Sequence, residues 1–344
     1  MRTILVTGGC GFIGSHTIVD LLDNGYEVIS VDNNARSTKR QLEGVKQITG
    51  KEIVNYTVDL CDYEATRKIF QQHKIDGIIH FAAYKSVDES VREPLMYYEN
   101  NFVSQINLMK CTKEFNISYF VFSSSCSVYG NADTIPVTEE TPLKKAESPY
   151  GMTKAVGEDM FRDFSKTSKT KFILLRYFNP VGAHPSALIG EVPFGRPSNL
   201  VPAITQFAAG KLPQLKVFGD DYNTRDGSCI RDFVHVCDIA HAHTLALEYL
   251  FKENDYAGCE VLNLGTGNGV TVLEAIAAFE KISGKRLDYC IAERRPGDVV
   301  AVYANNDKAR RLLGWSTQFS LDDMMETAWK WEQTLGKFSG VDSK

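Results

Sequence analysis

The sequence predicts an α/β protein, in which a doubly wound parallel sheet is followed by a smaller, irregular α/β lobe. Short runs of Val, Ile and Phe alternate with segments of helical periodicity through the first half of the chain. These runs show little alternation of apolar and polar residues, as expected for parallel strands covered on both faces. After Asn179 the composition of the chain changes, because Gly and Pro become frequent between Pro180 and Pro213. This change marks the expected start of the second lobe.

The elements follow in strict order along the first half. Strands are predicted at residues 3–7, 28–31, 53–58, 75–81, 119–122 and 172–175. Helices are predicted between them at residues 12–22, 63–73, 95–115 and 150–168. Beyond the irregular part, residues 238–251 have helical periodicity and residues 260–264 resemble a strand. We therefore expect a nucleotide-binding domain at 1–178, rejoined by about 235–265, and a substrate-binding lobe at 179–344.

Composition excludes several classes of protein. A chain of 344 residues is long for one compact core, which favours two lobes. Its 43% hydrophobic and 24% charged residues are typical of globular proteins, and a net charge of -5 does not indicate a nucleic-acid surface. No apolar run is long enough to cross a bilayer, and no secretory leader opens the chain. We expect a cytoplasmic protein that binds neither nucleic acid nor membranes.

The eight cysteines do not form a recognisable site. None belongs to a C-x-x-C pair, so neither a zinc site nor a thioredoxin-like motif is predicted. Without a leader peptide, free thiols in a reducing compartment are expected. Small buried apolar side chains are the simplest role for them. No metal site is predicted.

A glycine-rich turn follows the first predicted strand. Gly8, Gly11 and Gly14 are spaced G-x-x-G-x-x-G and open the first helix. Without side chains there, backbone amides and the positive end of the helix can approach a pyrophosphate. Asp32 closes the second strand 18 residues past Gly14 (32 − 14), where a carboxylate accepts both adenosine ribose hydroxyls and repels a 2′-phosphate. A Rossmann-type NAD site is therefore predicted, against the alternative of a structural turn beside a solvated aspartate.

Other predicted strands also end in residues suited to a cofactor. Asp59 and Leu60 follow the third strand and suit adenine, through an edge hydrogen bond and apolar packing. Phe81, Ala82 and Ala83 end the fourth strand, and the two alanines permit close approach. All lie at carboxyl ends of strands, where open parallel sheets bind their ligands.

A Y-x-x-x-K pair begins the helix predicted at 150–168. Tyr150 and Lys154 lie on one helical face, and Ser123, Ser124 and Ser125 end the fifth strand. A tyrosine with its ordinary pKa of ~10 is a poor base, and lowering that pKa by about three requires roughly 4 kcal/mol. A lysine ammonium and a cationic nicotinamide in a desolvated cleft could supply it. The spacing alone also arises by chance; its order with the glycine turn and the serines predicts a catalytic group.

Longer strings carry a family resemblance. They are IHFAA at 79–83, SCSVYG at 125–130, LRYFNPVGAHP at 175–185 and RDFVHV at 231–236. With the glycine turn and the Tyr150–Lys154 pair, they resemble the extended short-chain dehydrogenase/reductase family, and within it enzymes that epimerise UDP-hexoses at C4. The resemblance runs from residue 1 to about residue 331.

The resemblance implies an activity and three catalytic roles. Tightly bound NAD would support interconversion of UDP-glucose and UDP-galactose by oxidation at C4, rotation of a 4-keto intermediate and re-reduction. Tyr150 would exchange the proton of the 4-hydroxyl, Lys154 would assist it and hold the nicotinamide ribose, and Ser125 would hydrogen-bond the sugar oxygen. Further cofactor contacts are implied at Phe12, Ile13, Asn33, Asn34, Ala35, Arg36, Ser37, Lys85, Asn100, Ser123, Tyr177 and Phe178.

The same resemblance implies the contacts of the UDP-sugar. Arg231 and Arg295 would bind the pyrophosphate, Asp298 the uridine ribose, and Val217 and Phe218 the uracil. Taken singly, each would more commonly be a solvated charge or a core side chain. The remaining implied contacts are Asn179, Asn199, Leu200, Lys216 and Val302.

Val302 is the residue on which the expected substrate range depends. It stands where epimerases restricted to plain hexoses carry a tyrosine. A smaller side chain there implies that UDP-GlcNAc and UDP-GalNAc are also interconverted. An alignment slip of one residue would instead put Tyr303 at this position.

Three alternative functions compete with epimerisation of a UDP-hexose. A nucleotide-sugar 4,6-dehydratase needs an Asp-Glu pair directly after the catalytic hydroxyl residue, where this chain has Cys126 and Ser127. A non-catalytic NAD-sensing protein need not keep Ser125, Tyr150 and Lys154 together. A dehydrogenase that releases NADH stays open on sequence, although the epimerase strings argue against it.

A homodimer is expected from the two long helices at 94–115 and 150–168. The family pairs these helices between subunits, and their apolar residues exceed what one sheet face requires. The alternative is that all of them pack on their own sheet, which periodicity alone does not exclude. The residues are Leu95, Met96, Phe102, Ile106, Leu108, Met109, Met160, Phe161 and Phe164.

Overall fold

The computed structural model describes residues 1–253, 258–295 and 298–338. Its strands are β1 Thr3–Thr7, β2 Glu27–Val31, β3 Val54–Tyr56, β4 Gly77–His80, β5 Tyr119–Ser125, β6 Lys171–Tyr177, β7 Asn179–Val181, β8 Leu215–Phe218, β9 Ile230–Arg231, β10 Phe233–His235, β11 Cys259–Leu264, β12 Val270–Thr271, β13 Tyr289–Ala292 and β14 Ala301–Val302. Its α-helices are α1 Phe12–Asp23, α2 Arg40–Thr49, α3 Tyr63–Gln72, α4 Val87–Arg92, α5 Pro94–Glu114, α6 Pro149–Ser165, α7 Leu200–Ala208, α8 Val236–Lys252, α9 Val272–Ser283, α10 Asp307–Leu313 and α11 Leu321–Phe338, and Cys126–Tyr129 forms a 3-10 helix.

Seven parallel strands form the main sheet, in the order β11-β6-β5-β4-β1-β2-β3. The strand order reverses between β1 and β4, as it does in doubly wound sheets. The chain leaves this sheet after β6 and returns to it at β11, which pairs with β6 from Cys259 to Leu264. The predicted fold class is confirmed.

Both faces of the sheet are buried, which explains why its strands lack alternating polarity. In β1, Ile4 and Val6 join a cluster that includes Leu247 of α8. Leu5, between them, joins the opposite cluster with Phe161 of α6. Successive side chains of a strand point to opposite faces, so a strand covered on both sides is apolar throughout.

The second lobe contains more regular structure than expected. Its core packs Ile204 of α7, Phe279 of α9 and Met325 of α11. Helix α9 has local causes: Thr271 and Glu274 form a capping box, and Gly284 ends the helix in the left-handed conformation at φ 67. Only the stretch between β7 and α7 matches the predicted irregular texture.

Several predicted boundaries differ from the structure. Helices α2 and α4 have no counterpart in the prediction. Strands β5 and β6 run on to Ser125 and Tyr177, three and two residues beyond the predicted ends at 122 and 175. Their polar ends stay in the ladder, because Ser123 pairs with Leu175 and Ser125 with Tyr177. The extension carries the serines to the edge of the sheet.

The apolar surface expected of the two long helices is present only in part. Leu95 and Ile106 of α5 are exposed. Leu108 and Phe161 are completely buried in the chain's own core, so the expectation is wrong for these two residues. They lie on the face of each helix that packs on the sheet.

The structure adds two findings on the class of protein. None of the helices in the described residues combines the length and hydropathy that a membrane crossing requires. All eight cysteines are free thiols.

Candidate active site

The predicted cofactor residues gather at one edge of the main sheet. Asp32 follows β2, Asp59 lies beyond β3, Phe81 follows β4, and Ser125 ends β5. These strands are parallel, so all four residues lie at the carboxyl edge. The reversal of strand order places a crevice at this edge, which is where such sheets bind ligands.

The glycine turn is tightly packed. Gly8 has φ +72, and a Cβ on it would lie 2.9 Å from the backbone nitrogen of Ala82. A Cβ on Gly14 would lie 2.2 Å from the carbonyl oxygen of Gly8. The glycines are thus required for packing within the chain as well as for approach by a cofactor.

The start of helix α1 fits a pyrophosphate. Its N-cap is Gly11, which offers no side-chain cap, and the first turn contains no acidic residue. Helix N-termini leave backbone amides without intrahelical partners and carry a partial positive charge. Phe12, Ile13 and Gly14 form this first turn, so an anionic group would meet amides rather than carboxylates.

Asp32 joins the two loops beside the adenosine end. Its Oδ2 accepts the backbone amide of Cys10 (3.1 Å), and its Oδ1 accepts the amide of Asn34 (2.9 Å) and the hydroxyl of Ser37 (2.7 Å). Asn34 has φ 57, a conformation that asparagine tolerates. A carboxylate has about four acceptor positions, so Asp32 keeps capacity for a ribose hydroxyl.

The other adenosine-side residues cluster around Asn33 and Asp59. Asn33 donates from Nδ2 to Asp59 Oδ2 (3.3 Å) and accepts the amide of Ala35 (3.0 Å). Leu60 is buried beside them. The edge contact by Asp59 and the apolar contact by Leu60 with adenine stay predictions.

Arg36 is already paired within the chain. Both its terminal nitrogens contact the carboxylate of Glu89, at 2.9 Å for the Nη2–Oε1 pair. Its guanidinium carbon also lies 4.2 Å from the centre of the Tyr84 ring. Arg36 therefore contacts both α4, through Glu89, and the loop after β4, through Tyr84. A cofactor contact by Arg36 stays a prediction.

The loop after β4, which leads towards the nicotinamide end, is held by a residue that the sequence did not indicate. Asn101 of α5 accepts the amide of Tyr84 (2.9 Å) and donates to its carbonyl (3.1 Å) and to Thr153 Oγ1 (3.0 Å). Asn100 in turn donates to Asn101 Oδ1 (2.9 Å). Asn101 thereby fixes the loop next to Lys154. The sequence does not distinguish Asn101 from the other polar residues of α5, such as Asn100 and Asn107.

Further contacts bring the ends of the loop into place. The hydroxyl of Thr7 bonds His80 Nδ1 (2.7 Å) and accepts the amide of Ala82 (3.3 Å). Lys85 forms an ion pair with Glu191 of the second lobe (3.1 Å). Ala83 lies between these two anchors and is half-buried.

Tyr150, Lys154 and Ser125 converge as predicted. Helix α6 begins at Pro149, with Ser148 as N-cap accepting the amide of Gly151 (3.1 Å). Lys154 donates from Nζ to the carbonyl of Ser123 (2.6 Å), and its Nζ lies 5.9 Å from the centre of the Tyr150 ring. Ser125 hydrogen-bonds the Tyr150 side chain. The strand end and the first two turns of the helix thus meet at one point.

Burial dominates the pKa values of this group. It raises the pKa of Tyr150 to about 12, although hydrogen bonding by Ser125 opposes that rise. Burial lowers the pKa of Lys154 to about 7, and the negative charge of Glu158 opposes that fall. A lowering of the Tyr150 pKa by Lys154 together with a cationic nicotinamide stays a prediction.

Tyr177 and Phe178 close the inner wall of the crevice. The hydroxyls of Tyr177 and Ser123 are in direct contact, and burial raises the pKa of Tyr177 above its ordinary value. Phe178 is buried and donates its amide to the carbonyl of Leu264 (3.3 Å). The end of β6 is thereby joined to both β5 and β11.

On the second lobe, Arg231 and Val302 lie side by side. They are register partners in the parallel pair β9–β14. Arg231 donates to the carbonyl of Val299 (2.8 Å) and pairs with Asp298 at 3.1 Å. Val302 is buried in the large core cluster that also covers one face of the main sheet, whereas the ring of Tyr303 lies against Gly269. Neighbouring residues in an extended segment face opposite ways, so the two side chains point apart.

Asp232 fixes this part of the lobe, although the sequence indicated no role for it. Its completely buried carboxylate accepts the amide (2.8 Å) and hydroxyl (2.6 Å) of Thr266 through Oδ1. Through Oδ2 it accepts the amides of Gly267 (3.3 Å) and Ala304 (3.0 Å). Because Asp232 directly follows Arg231 and Ala304 lies two residues after Val302, these bonds hold Arg231 close to the segment that carries Val302.

The predicted uracil residues lie on β8. Val217 is buried and Phe218 is half-buried, while Lys216, between Leu215 and Val217, is exposed. The guanidinium carbon of Arg295 lies 4.4 Å from the centre of the Phe218 ring. Arg295 and Phe218 are thus together, and Pro296 and Gly297 beside them fall outside the described residues.

The remaining predicted contacts border the irregular stretch. Asn199 is the N-cap of α7, which begins at Leu200, and donates from Nδ2 to Glu191 Oε1 (2.9 Å). Asn179 donates its amide to the carbonyl of Asp232 (2.9 Å). Asn179 is therefore anchored beside Arg231.

Cys126 shows that the two halves of the site adjoin. It follows Ser125, and the charges of Arg231 and Asp232 both act on its thiol. Burial raises the pKa of Cys126 to about 11, so this thiol is neutral at physiological pH. Cys126 therefore lies within electrostatic range of Arg231 and directly beside Ser125, one of the predicted catalytic residues.

Comparison with known proteins gives one consistent pattern over nearly the whole chain. The family model described as GDP-mannose 4,6 dehydratase matches residues 5–328. A UDP-glucose 4-epimerase of Bacillus subtilis (strain 168) is 47% identical over 332 residues, covering 96% of this chain and 97% of that protein. The crystal structure of a UDP-glucose 4-epimerase from Bifidobacterium longum in complex with NAD+ and UDP has a TM-score of 0.93 and 45% identity, covering 97% of this chain and 98% of that one. The UDP-Glc/GlcNAc 4-epimerase of Campylobacter jejuni has a TM-score of 0.83 and 36% identity, covering 97% and 100%.

Proposed function

This chain belongs to the UDP-glucose 4-epimerase branch of the extended short-chain dehydrogenase/reductase family, and we propose that it interconverts UDP-glucose and UDP-galactose. The observation that carries the proposal is the convergence of Ser125, Tyr150 and Lys154 beside the glycine turn. A relative that is 47% identical over 96% of this chain is named for that activity.

NAD is the resident cofactor in this proposal. The amides at the start of α1 receive its pyrophosphate, Asp32 its adenosine ribose, and Asp59 with Leu60 its adenine. When bound, NAD accepts a hydride from C4 of the sugar and returns it to the opposite face. The solved epimerase from Bifidobacterium longum contains NAD+ together with UDP, which supports this assignment.

The chain's own residues move the proton. Tyr150 takes the proton of the 4-hydroxyl and later gives it back, and Ser125 holds the sugar oxygen within reach of that phenol. Lys154 is fixed by the carbonyl of Ser123 and, when protonated, places its positive charge beside Tyr150. General acid–base catalysis requires such contact and a pKa near the working pH.

The second lobe holds the nucleotide while the sugar turns. Arg231 and Arg295 bind the pyrophosphate, Asp298 the uridine ribose, and Phe218 the uracil. Arg231 pairs with Asp298, and Arg295 lies over the Phe218 ring. The amide of Asp298 donates to the carbonyl of Arg295 (3.1 Å), which links the two pairs. An anchored UDP leaves the 4-keto sugar free to rotate about its anomeric bond.

N-acetylated sugars fall within the proposed range. Val302 is buried in the core cluster, whereas the ring of Tyr303 lies against Gly269 and so points away from Val302. A valine leaves more volume than a phenol ring for an acetamido group at C2. The Campylobacter jejuni neighbour, described as a UDP-Glc/GlcNAc epimerase, shows that one protein of this fold acts on both sugar types.

A 4,6-dehydratase is the rival that the name of the matching family model raises. That reaction needs an acid and a base directly after Ser125. The chain has the neutral thiol of Cys126 and the hydroxyl of Ser127 there. Neither group can exchange the protons of an elimination near neutral pH, which favours the epimerase.

The proposed assembly is a homodimer formed through α5 and α6. Exposed Leu95 and Ile106, with Tyr98 and Phe102 stacked at 5.7 Å between ring centres, supply an apolar patch on α5. Light scattering at micromolar concentration should give twice the mass of the chain, and a monomer would contradict the proposal. The cytoplasm is the proposed location, in keeping with eight free thiols.

The activity is tested with the protein as purified. Incubation with UDP-galactose and no added cofactor should give a mixture of UDP-galactose and UDP-glucose, and denaturation should release NAD. Production of a stable keto sugar or of free NADH would contradict the proposal.

A further inference from the structure

Behind the candidate active site, a buried ion pair joins helix α6 to the sheet. Arg176 donates from Nε to Glu158 Oε1 (2.8 Å) and from Nη2 to Glu158 Oε2 (2.6 Å). The side chain of Glu158 is 0% exposed and that of Arg176 is 2% exposed. A pair buried this deeply is costly to desolvate, so it persists only with its other hydrogen bonds satisfied.

Those other bonds are present. Glu158 also accepts the hydroxyl of Ser124 (2.5 Å) and Nη2 of Arg162 (2.7 Å). Arg176 donates from Nη1 to the hydroxyl of Tyr129 (2.9 Å). Burial raises the pKa of Glu158, but the hydrogen bonds and charge of Arg176 outweigh it, so the net pKa lies below its ordinary value. Glu158 is therefore an anion at neutral pH.

This anion contacts the elements that carry the catalytic group. Glu158 lies four residues after Lys154, on the same helix and the same face. Ser124, which it binds, stands between Ser123, whose carbonyl accepts Lys154, and Ser125. Arg176 is the register partner of Ser124 in the β5–β6 pair. The Glu158 carboxylate thus connects α6, β5 and β6, and Ser124, which it binds, is next to the predicted catalytic residue Ser125.

We propose, on the basis of the function proposed above, that Glu158 is a positioning residue that holds Lys154 and the serine strand in register and keeps the Lys154 ammonium charged. The reaction needs a cation beside Tyr150, and the interior around Lys154 disfavours one. Glu158 supplies the compensating negative charge without touching the substrate.

The charged and titratable neighbours of Lys154 support this role. On its own helix are Tyr150 and Glu158, and Glu158 is the one charged group that acts to raise the pKa of Lys154. On β4, burial and the charge of Lys154 lower the pKa of His80 to about 3, so His80 is neutral and offers no charge.

On β6 the neighbours are Tyr177 and Arg176. Burial keeps Tyr177 neutral, and Arg176 is a cation already engaged by Glu158. Among the described residues, Glu158 is the one whose charge raises the pKa of Lys154, so its loss would leave the effect of burial unopposed. An opposite charge nearby typically moves a pKa by about 1–3, which is the scale of the expected change.

The test compares Glu158→Gln with Asp159→Asn. Both remove one negative charge from neighbouring positions of α6, but the side chain of Asp159 is 72% exposed. We expect the alkaline limb of the pH profile of kcat/KM on UDP-galactose to move down by about one pH unit or more in Glu158→Gln, a loss of about tenfold at alkaline pH. Asp159→Asn should keep the native profile.

A second readout does not depend on turnover. The 13C resonance of the Lys154 Cε, assigned by its absence in Lys154→Met, should titrate at lower pH in Glu158→Gln than in the native protein. Inactivity of the native protein on UDP-galactose would count against the proposed function, whereas an unmoved Lys154 titration would count against the role of Glu158.

A further variant separates charge from folding. Glu158→Gln leaves Arg176 buried and unpaired, which destabilises the chain, whereas Glu158→Gln/Arg176→Met removes both buried charges. Lys154 should titrate at lower pH in this double variant as well. A native titration there, or a uniform loss of kcat/KM at every pH in the single variant, would overturn the proposal.

Discussion

The carboxylate of Asp232 offers a quantitative test of how the second lobe is built. Asp232→Asn keeps the shape of the side chain but turns one acceptor oxygen into an amide donor. With the new Nδ2 on the Oδ1 side, the Thr266 amide loses its acceptor, while the Thr266 hydroxyl can accept from Nδ2 and donate to the Asn268 carbonyl. With Nδ2 on the Oδ2 side, the amides of Gly267 and Ala304 both lose their acceptor. The substitution therefore tests one hub of four hydrogen bonds.

The magnitude follows from those bonds. A buried donor left without a partner costs about 1–3 kcal/mol, and the orientation with Nδ2 towards Thr266, which leaves one such donor, is the cheaper of the two. Part of this is offset, because burial raises the pKa of Asp232 and the amide no longer carries a buried charge. We expect the free energy of unfolding to fall by about 1–2 kcal/mol.

Function should change with stability, and in a specific direction. Asp232 joins Arg231 to the segment of Val302, so its loss should raise KM for UDP-galactose more than it lowers kcat. Urea unfolding and steady-state kinetics measure the two effects. Asp307→Asn, the same change at an exposed site three residues beyond Ala304, should stay within about 0.5 kcal/mol of the native protein. If Asp232→Asn lowered the free energy of unfolding by less than about 0.5 kcal/mol and left KM unchanged, the reasoning would be refuted.

Three further substitutions test the site. Tyr150→Phe should keep the fold and the NAD content but lower kcat by several orders of magnitude, because only the phenol oxygen is lost; near-normal turnover would reject Tyr150 as the proton acceptor. Val302→Tyr should abolish activity on UDP-N-acetylgalactosamine and retain activity on UDP-galactose; equal losses on both sugars would argue against a gate. Gly14→Ala should yield protein depleted of NAD, because the new Cβ would lie 2.2 Å from the carbonyl oxygen of Gly8, and a native NAD content by absorbance would contradict that packing.

The features predictable from the sequence are local ones. The glycine turn and the Tyr150–Lys154 pair each lie within eight residues, so spacing alone brings their members together. The apolar strands were predictable because burial on both faces removes alternation, as Ile4, Leu5 and Val6 illustrate. Fold class and the place of the crevice follow from these patterns.

The features that escaped prediction depend on distant partners. Asp232 bonds residues 34 and 72 positions away, and Glu158 bonds residues 18 and 34 positions away. No spacing rule connects such residues, so their roles appear only in the folded chain. Periodicity likewise identified the apolar positions of α5 and α6 but could not separate exposed Leu95 from buried Leu108.

The pKa values of Tyr150 and Lys154 depend on burial, which the sequence does not show. The expectation that a lysine ammonium and a cationic nicotinamide together lower the pKa of Tyr150 stays a prediction. In the structure, burial dominates and raises that pKa to about 12, while it lowers the pKa of Lys154 itself to about 7. Desolvation cannot be read from residue types, because it depends on what the fold places around them.

The most direct test of the central claim follows the hydrogen at C4. UDP-galactose labelled with deuterium at C4 is incubated with the protein as purified, and the product is examined by NMR. The account predicts UDP-glucose that keeps the deuterium at C4, because the same hydride leaves and returns within one bound complex. Loss of the label to solvent or to free cofactor, or its appearance at C6 as a dehydratase would place it, would contradict the account.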